Sequence, residues 1–285
     1  MTEVLLEPNP LSLAIVFVYG TLFGSFLNVV IYRMPLERSI VAPGSACGTC
    51  GTPLAWWENL PILSYLLLRG RCHTCGSGFS PRYACIEALV GLGAAFLLHH
   101  HGRVGFLFLY HFVFLCLLVA IFFMDLDHWI ILDALSLTGV AVGVLGSPFL
   151  PERGDLSVGL GHGGSNLASS VLGVLLGAAF FWSIQVLGTF LARQEALGSG
   201  DVKLAAMLGA FLGWRMGLVS FLLSFLLGAL VAVPMMTLQR RRGKDPVPLG
   251  TFMAVAAFLT ALWGPEILEF LLDWPYRLGL WTLPG

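Results

Sequence analysis

Charge is what this sequence lacks most. Asp, Glu, Lys and Arg make up 11% of its 285 residues, against roughly a quarter in ordinary soluble domains. So few charges cannot clothe a water-facing surface, and a mean hydropathy of +0.86 agrees. With a net charge of −1, nothing in the composition suggests a nucleic-acid partner. No G-x-G-x-x-G follows a strand pattern, which excludes the usual dinucleotide-type cradle. The N-terminus has no basic run and no small-residue cleavage site, so the first apolar stretch reads as a retained span. No internal repeat is evident, which weighs against a transporter built from paired halves. Cysteine is scarce as well, with six in all.

Apolar runs, by contrast, are abundant. The hydrocarbon core is ~30 Å thick and a helix rises ~1.5 Å per residue, so about 20 apolar residues cross it. Such runs lie near 11–32, 83–101, 104–124, 129–150, 166–192, 204–213, 216–238 and 249–272. The expected fold is therefore an all-α polytopic membrane protein with about eight transmembrane helices. The sixth run is short for a full span, so the count around 204–238 stays open by one or two. If the segment 33–82 faces the cytoplasm, all but four of the 15 Lys and Arg residues fall on that side, as the positive-inside rule asks. Both termini then lie outside. The basic run 239–244 fits a cytoplasmic loop drawn to anionic headgroups, and 151–165 reads as an outer connector.

The long polar break, 33–82, carries "CGTC" and "CHTC". Cys47, Cys50, Cys72 and Cys75 form two C-x2-C pairs, and two such pairs supply the four thiolates of one tetrahedral zinc. A segment of ~50 residues buries little apolar surface by itself, so a metal staple is physically apt. Disulfides are the alternative, disfavoured in a reducing cytoplasm. Four thiolates leave no open position for water, so the zinc is expected to be structural. His73 reads as a neighbour of this set and not as a ligand.

Ionisable groups are costly in lipid, and those that remain are candidates for function. Asp125, Asp127 and Asp133 cluster in "MDLDHWIILD", and Asp201 follows two glycines in "GSGD". Both stretches lie where an apolar run meets the cytoplasmic side. Two carboxylates held together share a proton, so one can take a proton from water while the other protonates a scissile carbonyl. The glycines before Asp201 are expected to leave room for an extended substrate. The bland alternative is that Asp201 simply begins a helix, where a carboxylate suits the macrodipole. Asp127 stands roughly 200° around a helix from Asp125, and periodicity does not choose between them.

At these residues the chain resembles the bacterial prepilin peptidases, or type IV leader peptidases, of the GxGD aspartic-protease class. The resemblance runs in order through "GTLFGSFLNVVIYRMP", the two C-x2-C pairs around "WWENLPILSYLLLRGRC", "SPRYACIEAL", "MDLDHWIILD", "GSGDVKLAAMLGAFLGW" and "PVPLGTFMA". It implies that Asp125 and Asp201 are the catalytic pair. It implies cleavage of the basic leader from type IV prepilins and type II secretion pseudopilins at the cytoplasmic face of a bacterial inner membrane. It also implies N-methylation of the exposed residue, with S-adenosylmethionine as donor, in members that carry the four-cysteine insert. Departures from the family's blocks fall at Gly78, Phe79, Ala84, Cys85, Leu132, Leu249 and Thr251. None removes a carboxylate or a thiol of these sets.

The expected organisation is a first span (1–32), a cytoplasmic four-cysteine zinc module (33–82) and a peptidase domain (83–285) in contact with membrane lipid. Polar residues near the insert, Asn28, Arg33, Glu58, Asn59, Arg82 and Glu87, are candidates for the methyl-transfer site. Each also has a structural alternative: Glu87 pairing with Arg82, for instance, or Asn28 bridging two spans. The competing functions are a peptidase without methyl transfer and, in a different class, a transporter or channel with a zinc-bearing loop.

Overall fold

The structure is a computed structural model and describes residues 7–151, 161–193, 197–239 and 248–277. Residues 240–244 of the expected basic loop and residues 152–160 of the expected outer connector lie outside the described residues. Helices are α1 (Pro10–Arg33), a short α2 (Leu63–Leu67), α3 (Arg82–His101), α4 (Phe106–His128), α5 (Asp133–Gly146), α6 (Gly161–Ala192), α7 (Ser199–Gln239) and α8 (Leu249–Arg277). Among the described residues there are two isolated β-bridges, Ala46 with Pro53 and Arg71 with Gly78, and no strands. The chain is an all-α polytopic membrane protein. Among the described residues, six helices are long and apolar enough to cross a membrane, and a shorter apolar helix covers Asp133–Phe149.

The expected sixth and seventh runs lie in one element, α7, which is broken at Gly213 (φ 79°, ψ 175°). That backbone region is open essentially to glycine alone, so the sequence places the break. The Ser170 hydroxyl donates to the Ala210 carbonyl at 2.7 Å, just ahead of it. In α8 the helix is interrupted at Trp263, which is followed by Gly264 and Pro265.

The described chain falls into two compact units that divide between Met124 and Asp125. In the first, α1 starts at an Asn9 capping box, with the Asn9 side chain accepting from the N–H groups of Leu11 and Ser12 and Pro10 at the first position. The G-x-x-x-G of "GTLFG" brings α1 onto α3. A Cβ at Gly20 would lie 2.7 Å from Gly91 Cα, and one at Gly24 would lie 2.7 Å from Glu87 Cα. Small residues at such crossings let backbones touch, which is how helices associate where lipid offers no hydrophobic incentive. In the second unit α6 and α7 cross in the same manner: a Cβ on Gly209 would lie 2.1 Å from the Gly173 carbonyl oxygen.

Candidate active site and metal centre

Helix α4 ends one turn past Asp125. Trp129 donates its N–H to the Asp125 carbonyl at 3.0 Å and adopts φ 58°, which reverses the chain. The reversal drives Ile131 back inward, where it is buried. A Cβ at Gly200 would lie 2.9 Å from Ile131 Cβ, and one at Gly250 would lie 2.9 Å from Ile131 Cδ1. Ile131 is thus a wedge against the first turns of both α7 and α8. This corrects the expectation for Gly200, the second glycine of "GSGD". The space at Gly200 is filled by the protein's own Ile131, while the space at Gly198 lies 3.4 Å from the Asp201 carboxylate.

Burial separates the two acids that periodicity left equivalent. Asp125 is 5% exposed, whereas Asp127 lies on the exposed side of the same helix end. Asp201, half-buried, sits in the first turn of α7, next to Gly200, which faces the same Ile131 that packs at Gly250 beside Asp125. Asp133 is elsewhere engaged, since Lys203 Nζ donates to both of its oxygens at 2.6 Å. The fourth acid of the sequence pattern is therefore an ion-pair partner between the starts of α5 and α7.

Thr251, one of the departures from the family's blocks, holds Asp125 in place. Oδ2 of Asp125 accepts the Thr251 N–H at 2.8 Å and the Thr251 hydroxyl at 3.1 Å. Gly250 allows the approach, because a Cβ there would sit 3.0 Å from that same oxygen. The carboxylate therefore caps the start of α8, where unpaired N–H groups and the helix dipole favour negative charge. A threonine directly after glycine at the head of an apolar run was the signal that could have found it.

The cysteines form two matching knuckles. Cys47 donates its N–H to the Thr52 carbonyl and Cys72 to that of Ser77, at 2.9 and 2.8 Å. Gly51 and Gly76, one after each pair's second cysteine, both take φ 71°, a conformation that costs glycine little. The four sulfurs lie within 4.8 Å of one another, with Cys47–Cys75 at 3.8 Å and Cys50–Cys72 at 4.0 Å. A tetrahedron with Zn–S bonds of ≈ 2.3 Å has edges of about 3.8 Å, so the set fits one metal ion. None of the four is in a disulfide. The Ser77 hydroxyl and the N–H groups of Cys50 and Thr49 hold the Cys47 thiol down at about 5. Ser77, through its hydroxyl and then its N–H, also lowers Cys75. Both therefore favour the thiolate that a metal needs.

The polar residues near this insert are mostly engaged in building it. Arg33 donates to the carbonyls of Ser39, Pro43 and Gly44 at 2.7–3.2 Å. Glu58 accepts from the Ala55 N–H at 2.8 Å and pairs with His73 Nδ1 at 2.5 Å. Glu87 accepts from the Ile62 N–H at 2.8 Å, where Ile62 carries φ 60°. Asn28 bridges to the Tyr83 carbonyl at 3.1 Å, and the Arg82 guanidinium lies over the Phe123 ring. Among the six methyl-transfer candidates, five therefore show a structural role.

Fold and site together define a class: a polytopic membrane protein that buries a carboxylate at helix ends beside a second one and carries a separate four-thiol module. Residues 18–101 match the bacterial peptidase A24 N-terminal domain, and residues 112–233 match the type IV leader peptidase family. The chain is 38% identical to a prepilin leader peptidase/N-methyltransferase of Myxococcus xanthus, over 82% of this chain and 66% of that relative. It is 31% identical to proteins of the same name from Stutzerimonas stutzeri and Pseudomonas aeruginosa, over 92% of this chain and 94% of each relative. No solved structure matches it. The chain belongs to the type IV leader peptidase family.

Proposed function

We propose that this chain is a membrane aspartic endopeptidase that cleaves the basic leader from type IV prepilins and type II secretion pseudopilins and then N-methylates the exposed residue. The observation that carries the reading is the burial of Asp125, across the Ile131 wedge from the helix start that bears Asp201, while Asp127 stays exposed. The two carboxylates act as the catalytic pair, without a covalent acyl-enzyme. One accepts a proton from water as the water oxygen bonds to the scissile carbonyl carbon, and the other gives its proton to the carbonyl oxygen. Collapse of the resulting diol breaks the C–N bond and delivers a proton to the leaving amine.

Cys47, Cys50, Cys72 and Cys75 would hold a structural zinc, whose role is to clip the 33–82 module that lacks a core of its own. S-adenosylmethionine supplies the methyl group. The organisation is a first span (1–32), the four-cysteine module (33–82) and the peptidase domain (83–285). The protein sits in the bacterial inner membrane with both termini periplasmic and the carboxylates on the cytoplasmic side.

The test is incubation of the purified protein with a pilin-like peptide bearing its basic leader and labelled S-adenosylmethionine, read by mass spectrometry. Cleavage followed by a mass gain of one methyl group is expected. Asp125→Asn and Asp201→Asn should each abolish cleavage in protein that still inserts, and retained cleavage in either would refute the pair. Cleavage without label would leave a peptidase that does not methylate.

A further inference from the structure

Asp125 and Asp201 are the same chemical group in unequal settings. Asp125 Oδ2 accepts two donors from Thr251, the N–H at 2.8 Å and the hydroxyl at 3.1 Å, and the Gly250 backbone adds a third partner. Asp201 has one backbone partner, Gly198. Asp125 sits near the C-terminal end of α4 with its carboxylate turned to the start of α8, and Asp201 lies in the first turn of α7; what sets Asp125 apart is its direct bonds to the charged form, which are roughly twice as strong as neutral ones. Both donors fall on Oδ2, and a proton added to either oxygen of the carboxyl withdraws the charge that these bonds favour.

The other charged groups on neighbouring elements do not offset this inequality. Lys203 of α7 is bound to both oxygens of Asp133 at the start of α5, so its charge is already matched. Asp127 and His128, on the same helix end as Asp125, are exposed.

Building on the proposed pair, we propose that Thr251 is a positioning residue that divides the roles within it. Asp125 is the partner that stays ionised and takes the proton from water. Asp201 carries the shared proton and gives it to the carbonyl oxygen. The step balances: water loses one proton to Asp125 and its oxygen bonds to carbon, while the former carbonyl oxygen gains the proton of Asp201. On collapse a diol hydroxyl returns a proton to Asp201, the C–N bond breaks, and Asp125 passes its proton to the leaving nitrogen. Both carboxyl groups end as they began.

The experiment is the pH profile of kcat/KM for leader cleavage in the full-length protein. Thr251→Val keeps the shape and the N–H but loses the hydroxyl. The acidic limb, which reports ionisation of the base, should move up by about one pH unit, a tenfold change, while the alkaline limb stays in place. Thr251→Ser should restore the original acidic limb. Thr251→Ala, which is smaller and cannot clash, is the second variant and should give the same shift as valine. Movement of the alkaline limb instead would mean that Asp125 is the acid and would overturn the assignment, as would two unmoved limbs. Failure of the underlying pair reads differently: cleavage would then persist in Asp125→Asn or Asp201→Asn.

Discussion

Substituting Gly200 with alanine tests whether the space before Asp201 belongs to the substrate or to the protein. The added Cβ would lie 2.9 Å from Ile131 Cβ and 3.2 Å from the Ile131 carbonyl oxygen. Carbon contacts are comfortable at ≈ 3.5–4.0 Å, so Ile131 must retreat by roughly 0.6–1 Å. Neither atom is the far end of a flexible side chain, so overpacking near the upper part of its ~1–3 kcal/mol range applies. Replacing glycine by alanine returns at most ~1 kcal/mol through the unfolded chain. The net loss is therefore about 1–2 kcal/mol, or ~2–4 °C in Tm per kcal/mol for a chain of this size. Ile131 also fills the space at Gly250, beside Asp125, so its movement reaches the site, where a misplacement of ~1 Å can cost ~100-fold in rate. Two assays decide the matter: thermal unfolding of the substrate-free protein in detergent, and kcat and KM for leader cleavage. Lower stability with a reduced kcat is expected. Unchanged substrate-free stability, with KM raised and kcat kept, would show that the space is the substrate's and refute the wedge.

Three further outcomes follow from the same geometry. Asp127→Asn should retain cleavage within a few-fold of the parent, because that carboxylate lies on the exposed side of the α4 end; loss comparable to Asp125→Asn would contradict the burial argument. Gly213→Ala should destabilise the protein by about 1–3 kcal/mol, since φ 79° with ψ 175° is nearly closed to a residue with a Cβ; thermal unfolding reads this, and an unchanged Tm would speak against the break. Metal content should depend on pH in a defined direction. The Cys47 thiol is lowered from 9.0 to about 5, so its contribution to stability is full above the unfolded value and is lost as pH falls through the folded one. Cys72 of the same set is shifted the other way, upward, so metal measured after dialysis should fall progressively as pH is lowered from neutral and protons compete for the thiolates, and Cys47→Ser should lose metal at neutral pH.

What could be read from the sequence follows from which interactions leave a pattern there. The spans were legible because lipid demands long apolar runs, and the thiol cluster because C-x2-C fixes two ligands on one tight turn. The single element spanning the sixth and seventh runs was not, since only a backbone angle at Gly213 separates a break within α7 from a loop between two helices. The choice between Asp125 and Asp127 was hidden for a related reason. In a helix apolar all round, as α4 is up to Met124, hydrophobic periodicity cannot say which side faces protein and which faces lipid.

Thr251 marks the deeper limit. In the sequence it shows only as a departure from the family's block. In the structure its N–H and hydroxyl converge on one oxygen of Asp125, 126 positions earlier in the chain. Gly200 was misread in the opposite sense, because a missing Cβ shows that something approaches closely but does not name what. Here it is Ile131, placed by the left-handed turn at Trp129. Motif letters record which side chains are present, whereas the partner of a free N–H or of a vacant Cβ position is set by tertiary packing. A substitution within a block therefore has to be judged by the donors it adds to the carboxylate as well as by those it removes.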